Sequence, residues 1–260
     1  TFFEDALTAS KELEIVLTGR DCGLAERAPM CGVPFHAVEM YVNRLISKGY
    51  KVAICEQMTD PKESKGLVER DVIRVITPGT VIEESMLSER ENNYLAALYL
   101  SERDLGMAYC DVSTGGFYVL ELHGDNWAGE LMDELARIQP TELVANDALF
   151  LQELLVKRLQ SSYYLQCLGS DAFDESLARS RTLRHFQKAS LKELGCEGLS
   201  CGVSAAGALL SYLEETQKNA LAHIRNVRVV SPGKYMRIDA ASRRNLELTT
   251  PLRADGSKKH

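Results

Sequence analysis

Phosphate contact is the chemistry for which this chain offers the best local residues. In Ser64-Lys65-Gly66 a lysine stands beside a glycine, so that charge and backbone can approach one phosphate together, and Arg70 and Arg74 follow closely. Contacts of that kind fix position on a nucleic acid without reading its sequence; a solvated surface loop accounts for the same residues. His36 would need a nucleophile or carboxylate partner to act as a base. The sequence offers none that is convincing, so a structural hydrogen bond at a helix start is expected. Two-metal hydrolysis requires several converging carboxylates, yet the first apolar run of the second half, residues 94–100, contains no acid. Asp111 lies just before a hairpin and reads as a turn-capping residue, and Glu130 and Glu134 as a solvated helix face. No G-x-x-x-x-G-K-[ST] run is present, so these residues carry no P-loop. Seven cysteines without a C-x-x-C pair read as reduced, mostly buried thiols and not as a disulfide or zinc framework.

The elements that must position these residues follow from periodicity. A length of 260 residues exceeds one domain of about 100 to 150, and 45% apolar residues are enough to bury real cores. No run approaches the roughly 18 apolar residues of a membrane span, and a cytoplasmic location is expected. The net charge is −7 and is unevenly spread: residues 1–82 hold 10 basic and 12 acidic groups, residues 83–226 hold 12 and 22, and residues 227–260 hold 8 and 3. Bulk charge therefore argues against a nucleic-acid coat, and any such role must rest on local basic arrangements.

In the first region, Ala6 and Leu13 with the aromatic pair Phe2-Phe3 predict a short helix passing into a strand over 15–18. Residues 19–34, rich in Gly and Pro, predict a long loop. Val38, Tyr41, Val42, Leu45 and Ile46 predict a helix ended by Lys48-Gly49. Strands are expected over 51–55 and 71–77, the second closed by Pro78-Gly79. Residues 94–100, 107–112 and 117–122 predict three strands, the last two joined by a Ser113-Thr114-Gly115-Gly116 turn. Trp127, Leu131, Leu135 and Ile138 then share a helix face that stops at Pro140, and 143–145 is the next strand. This β-β-β-α-β order is that of a ribonuclease-H-like fold, with later helices over about 171–186 and 203–218. Strand-like 226–230 and 235–238 precede a helix over 240–249, in which Arg243 and Arg244 are expected to make salt bridges and helix contacts.

Three turn-bounded signatures recur in one order: Pro29-Met30-Cys31-Gly32-Val33-Pro34-Phe35-His36-Ala37, Val52-Ala53-Ile54-Cys55-Glu56-Gln57, and Val75-Ile76-Thr77-Pro78-Gly79-Thr80. Together with Ile238-Asp239-Ala240-Ala241-Ser242-Arg243-Arg244-Asn245-Leu246-Glu247-Leu248, they resemble the MutS family of bacterial DNA mismatch-repair proteins. The resemblance implies an α/β architecture of four parts: a mixed-sheet mismatch-recognition domain over 1–82, a linker over 83–93, a ribonuclease-H-like connector over 94–226, and the start of a helical core domain over 227–260. It also implies that the chain is a piece of a longer protein, truncated at both ends.

The family's Phe-x-Glu element, whose Phe wedges beside a mispaired base, would then lie upstream of Thr1. Phe2-Phe3-Glu4 spells the same motif, but its register with Asp5-Ala6 places it a few residues late, so an aromatic pair anchoring the first helix is the reading adopted. By resemblance, the candidates for DNA contact are Met30, Gly32 and Pro34, in a loop that either follows the minor groove or simply holds the domain rigid, and Lys65, Gly66, Arg70 and Arg74. Catalytic and metal residues are expected to be absent. ATP and Mg2+ belong to the intact parent, whose partners would be double-stranded DNA with mispairs or small loops, MutL, and a second copy of itself. A metal-dependent nuclease of the ribonuclease-H-like fold is the alternative.

Overall fold

The computed structural model describes residues 1–23, 25–59, 68–87, 91–218 and 221–231, with 242, 245 and 246. Two compact units are separable: Thr1–Asn93 with Leu213–Leu221, and Tyr94–Tyr212 with the described residues from Ala222 onward. Among the described residues, no helix is long and apolar enough to cross a membrane.

The first unit opens with α1 (Phe3–Leu13). Ala6, Ala9 and Leu13 fall on one helical face and are buried against Cys31, Ile15, Tyr41 and Leu45. The aromatic pair does not anchor this helix, because Phe2 and Phe3 are 39% and 53% exposed. The entry is held by backbone instead: Phe2 bridges Met30, and the Cys31 amide donates to the Thr1 carbonyl at 3.2 Å. The expected strand at 15–18 is displaced to β1 (Thr18–Arg20), which pairs antiparallel with β2 (Ala28–Met30) inside the stretch read as loop. Backbone pairing carries most of this hairpin, with one bond from the Thr18 hydroxyl to the Met30 carbonyl. Its first strand is exposed at every position, so no alternation marks it in the sequence.

A single 3-10 turn, Phe35–Ala37, leads into α2 (Val38–Ser47), where Val42 and Ile46 are buried. The helix ends as Lys48-Gly49 predicts. Gly49 adopts φ 82°, its amide bonds to the Ile46 carbonyl at 2.8 Å, and the Tyr50 amide bonds to Leu45 at 3.0 Å, a Schellman arrangement. β3 (Val52–Gln57) and β4 (Arg70–Ile76) pair antiparallel, with a shift in register after Ile54 that leaves Ile73 unmatched. Ile76 and Val81 join Val42 and Ile46 in a second small core.

The second unit is a six-stranded mixed sheet. β5 (Tyr94–Ser101), β6 (Asp104–Asp111) and β7 (Gly116–Leu122) form the antiparallel meander that the three apolar runs predict. α3 (Trp127–Ile138) buries Leu131, Leu135 and Ile138, and the chain then crosses to β8 (Glu142–Ala145), parallel to β5. Next come α4 (Asp147–Phe150), α5 (Glu153–Gln160) and β9 (Tyr164–Cys167), parallel to β8. β9 escapes sequence reading because all four residues are half-buried or exposed, without alternation. α6 (Glu175–His185), α7 (Ser200–Gln217) and β10 (Val227–Val229) complete the unit, apart from the last turn of α7, which belongs with the first.

The strand order β7-β6-β5-β8-β9 is the ribonuclease-H-like order, with β10 added parallel to β7 at the far edge. β10 is the strand expected at 226–230, and Val227 pairs with Phe117 in this sheet. The expected strand at 235–238, most of the helix over 240–249, Arg243 and Arg244 lie outside the described residues. One face of the sheet packs on α3, α4 and α5 through Leu98, Met107, Leu120 and Leu143. The other receives the N-terminal half of α7, whose Gly202 and alanines let it approach closely.

Candidate nucleic-acid interface

The loop after β2 is anchored at one end and open at the other. Met30 is half-buried, and its carbonyl accepts the Thr18 hydroxyl at 2.9 Å. Gly32 is exposed, and a Cβ built on it would meet nothing within 4 Å. Neither internal packing nor a positive φ therefore requires glycine there. Pro34, also exposed, fixes the chain in an extended conformation (φ −60°, ψ 139°) immediately before the 3-10 turn.

The next residue is one that sequence reasoning missed. Phe35 is 91% exposed, the most exposed large apolar side chain among the described residues. The only signal was its place between two residues already singled out. His36 is exposed and makes no side-chain hydrogen bond among the described residues, so the expected structural bond at the helix start is not formed.

Arg70 is exposed at the first position of β4, opposite Gln57. It lies on a different two-stranded sheet from Met30. Lys65 and Gly66 lie outside the described residues.

Arg74 stands apart from the phosphate reading. Its guanidinium grips Glu83 through two bonds, at 2.5 and 3.2 Å, and also donates to the Thr80 carbonyl at 3.3 Å; the side chain is only 18% exposed. It secures the turn after β4, where the Thr80 amide bonds to the Thr77 carbonyl and the two threonine hydroxyls meet at 2.9 Å. From the end of α7, the Gln217 side-chain amide donates to the carbonyls of Val75 and Thr80, both at 3.3 Å.

Burial works to raise the Glu83 pKa, but the Arg74 hydrogen bond, backbone amides and the Arg74 charge outweigh it and hold the carboxyl below the usual carboxylate range. A carboxylate depressed in the folded state stabilises fully above its unfolded value and loses that contribution as pH falls through the folded one. Stability followed by urea midpoint from about pH 6 to about pH 3 should therefore fall, and Arg74→Ala should flatten that fall. The same substitution should cost about 2 kcal/mol at neutral pH, a partly exposed pair being worth less than a fully buried one.

The carboxylates of the second unit do not converge. Asp111 (2% exposed) accepts the Ser113 amide and hydroxyl at 2.9 and 2.7 Å and so closes the β6–β7 turn, as expected. In register it stands opposite Tyr94, on the α3 face. Glu121 receives the Gly202 amide at 2.8 Å in the first turn of α7, and Glu142 receives the Tyr212 hydroxyl at 2.6 Å. Through their strand partners these two map to Tyr99 and Leu95 of β5, four positions or about 13 Å apart. Each carboxyl is committed to backbone or to a neighbouring side chain, and the described residues contain no His/Cys/Asp/Glu group suited to a metal ion. The sequence contains no P-loop run, and among the described residues these carboxylates are not grouped as Mg2+ would need.

Comparison with known proteins agrees with the two-unit division. Residues 1–85 match the family described as MutS domain I, and residues 93–225 the one described as MutS domain II. The DNA mismatch repair protein MutS of Ruminiclostridium cellulolyticum is 46% identical over 259 residues, covering 99% of this chain and 29% of that protein. MutS of Acetivibrio thermocellus gives the same figures, and MutS of Lachnoclostridium phytofermentans is 47% identical over 254 residues, 97% of this chain and 27% of that protein. The chain thus spans under a third of the length of these relatives. With two consecutive domain families matched in order and nearly half its residues identical to those relatives, the chain belongs to the MutS family, of which it carries domains I and II.

Proposed function

We propose that this chain is the mismatch-recognition and connector portion of a DNA mismatch-repair protein, which binds mispaired or unpaired bases in duplex DNA. The observation that carries the reading is the unbroken run of both domain families, with 46% identity across 99% of the chain to a protein named for mismatch repair. The physical logic is indirect readout: a mispair stacks poorly, so bending and wedging cost less there than in matched duplex. Residues 1–82 supply recognition, 83–93 a linker, and 94 onward the connector, whose sheet takes in β10, so the core domain expected from 227 starts after that strand.

In this reading Met30, Gly32, Pro34, Lys65, Gly66 and Arg70 approach the duplex, while Arg74 holds the turn behind them. Phe35 joins them as an exposed aromatic suited to packing against sugar or base. The whole protein works in the cytoplasm as a homodimer, switches with ATP and Mg2+ held by residues outside this chain, and recruits MutL through the connector. The committed carboxylates of the second unit favour a contact role over the nuclease alternative.

The test compares affinity for a duplex holding one G·T mispair with affinity for its matched counterpart, at fixed low salt. This chain is measured beside a version extended at its N-terminus by the relatives' Phe-x-Glu segment. The extended protein should prefer the mispair by at least about tenfold, a difference of about 1.4 kcal/mol, and the chain itself should not discriminate. Discrimination by the chain itself would make Phe2 or Phe3 the reader. Failure of both to discriminate would reject the mismatch reading.

A further inference from the structure

The second unit is acidic as a whole, yet its β10 edge is not. Residues 176–192 carry Arg179, Arg181, Arg184, Lys188 and Lys192, residues 222–231 carry Arg225 and Arg228, and neither stretch contains an Asp or Glu. Half of the 12 cations between residues 83 and 226 fall within them.

Tertiary contacts bring the two stretches together. His185, at the end of α6, bonds through Nε2 to the Ile224 carbonyl at 2.9 Å. Phe186 packs edge-on against Phe117, ring centroids 5.4 Å apart, and Phe117 is the β7 partner of Val227. The loop after α6 returns so that a Cβ on Gly195 would lie 3.8 Å from the Val229 side chain. Arg184, Lys188, Lys192, Arg225 and Arg228 are all exposed around this junction. No carboxylate pairs with Lys188 or Lys192 among the described residues.

We propose that this basic edge, built from the end of α6, the loop after it and β10, is a second nucleic-acid contact that binds the phosphate backbone of duplex DNA irrespective of sequence. The surface chemistry selects that partner over an acidic protein. Protein interfaces concentrate their energy in buried aromatic and apolar anchors, whereas the exposed groups here are mainly cations on long side chains, which outnumber the loop's exposed Glu193 and Glu197, with Val229, 37% exposed, the large apolar exception. Phosphates need charge without such an anchor. The surrounding excess of acid repels DNA elsewhere on the unit and would restrict contact to this edge.

The inference rests on the chain binding DNA, but not on which residue reads the mispair. The whole chain is titrated with a fluorescent matched duplex between about 50 and about 200 mM salt. Lys188→Glu with Lys192→Glu, and separately Arg225→Glu, are compared with Arg70→Glu in the first unit, the fold of each being checked by thermal unfolding. The double variant should bind at least about tenfold more weakly at the low-salt end, with a log–log salt slope shallower by about 1 for each phosphate no longer neutralised. In the N-terminally extended protein, the preference for a mispair should be unchanged.

An unchanged slope in the edge variants, with weakening only in Arg70→Glu, overturns the edge proposal and leaves the mismatch reading standing. Weakening in the edge variants of a protein that never prefers a mispair keeps the edge and rejects that reading. Tighter binding of a fluorescent poly-glutamate than of the duplex, abolished in the double variant, would make the edge a site for acidic protein and overturn the proposal. So would the absence of duplex binding at the lowest salt.

Discussion

Gly106→Ala is expected to lower the thermal midpoint of the second unit by about 10 °C, corresponding to about 3 kcal/mol. Gly106 sits in the middle of β6, between Tyr99 of β5 and Glu121 of β7, where its conformation would suit any residue. What requires glycine is α7. A Cβ at this position would overlap the backbone carbonyl of Cys201 and come within 2.5 Å of the Gly202 nitrogen. Neither obstacle is the far end of a flexible side chain that could swing away. Both are backbone in the first turn of an 18-residue helix, so the helix must lift from the sheet. Lifting would break the bond from the Gly202 amide to Glu121 and loosen the contact between Gly202 and Val119. Gly32→Ala is the matched control: with open space around it, stability should change by no more than about 0.5 kcal/mol. Calorimetry of the two variants settles the point, and a Gly106→Ala protein melting like the parent would show that α7 does not bear on β6 as described.

Glu142→Ala should cost about 3 to 5 kcal/mol, read as a lower urea midpoint at unchanged slope. Glu142 is fully buried at the start of β8. Its Oε1 accepts the Tyr212 hydroxyl of α7 at 2.6 Å and the side-chain amide of Gln166 from β9, and Gln166 also donates to the Tyr212 oxygen at 3.0 Å. The three side chains form a closed network, buried at Glu142 and Tyr212, linking two strands to the helix that covers them. Deleting the carboxyl leaves the buried Tyr212 hydroxyl without its acceptor, takes one of the Gln166 amide's two acceptors and opens a cavity, so the cost exceeds that of one hydrogen bond. Tyr212→Phe, which removes a single hydroxyl, should cost only about 1 to 2 kcal/mol. In that background Glu142→Ala should be milder than in the parent, the sign of coupling within one network. Strict additivity of the two substitutions would mean that the network is not the source of the stability.

Both sites show how a local reading of the chain stops short. In the sequence, Gly106 is a glycine ahead of an apolar run, and Glu142 is a charged residue just outside the strand expected over 143–145. Neither reveals its role, because the atoms that give it one lie on α7, about 95 residues away in one case and 70 in the other. Arg74 is the reverse case. Its charge and its position near Lys65 point to phosphate, and only folding shows that Glu83 and Thr80 take up its guanidinium. Phe35 was equally hidden, since an aromatic beside a helix start is ordinarily buried and nothing local says that this one is not.

By itself, the sequence determined whatever depends on neighbours along the chain. The helical spacing of Val42 and Ile46 with a Lys48-Gly49 stop, the apolar runs of β5 to β7, the Asp111 turn and the stop at Pro140 are all local signals, and each was read in place. The ordered signatures from Pro29 to Thr80 likewise carried the family. The tertiary structure alone decided whatever depends on partners distant in sequence. It paired β1 with β2 without any side-chain pattern, placed β9 and β10 at the two edges of the sheet, and joined the cations of α6 to those around β10. The physical reason is range. Propensity, capping and turn chemistry act over a few residues and are written into them. Strand order, close helix–sheet approach and the pooling of charge are set by groups that meet only once the chain has folded.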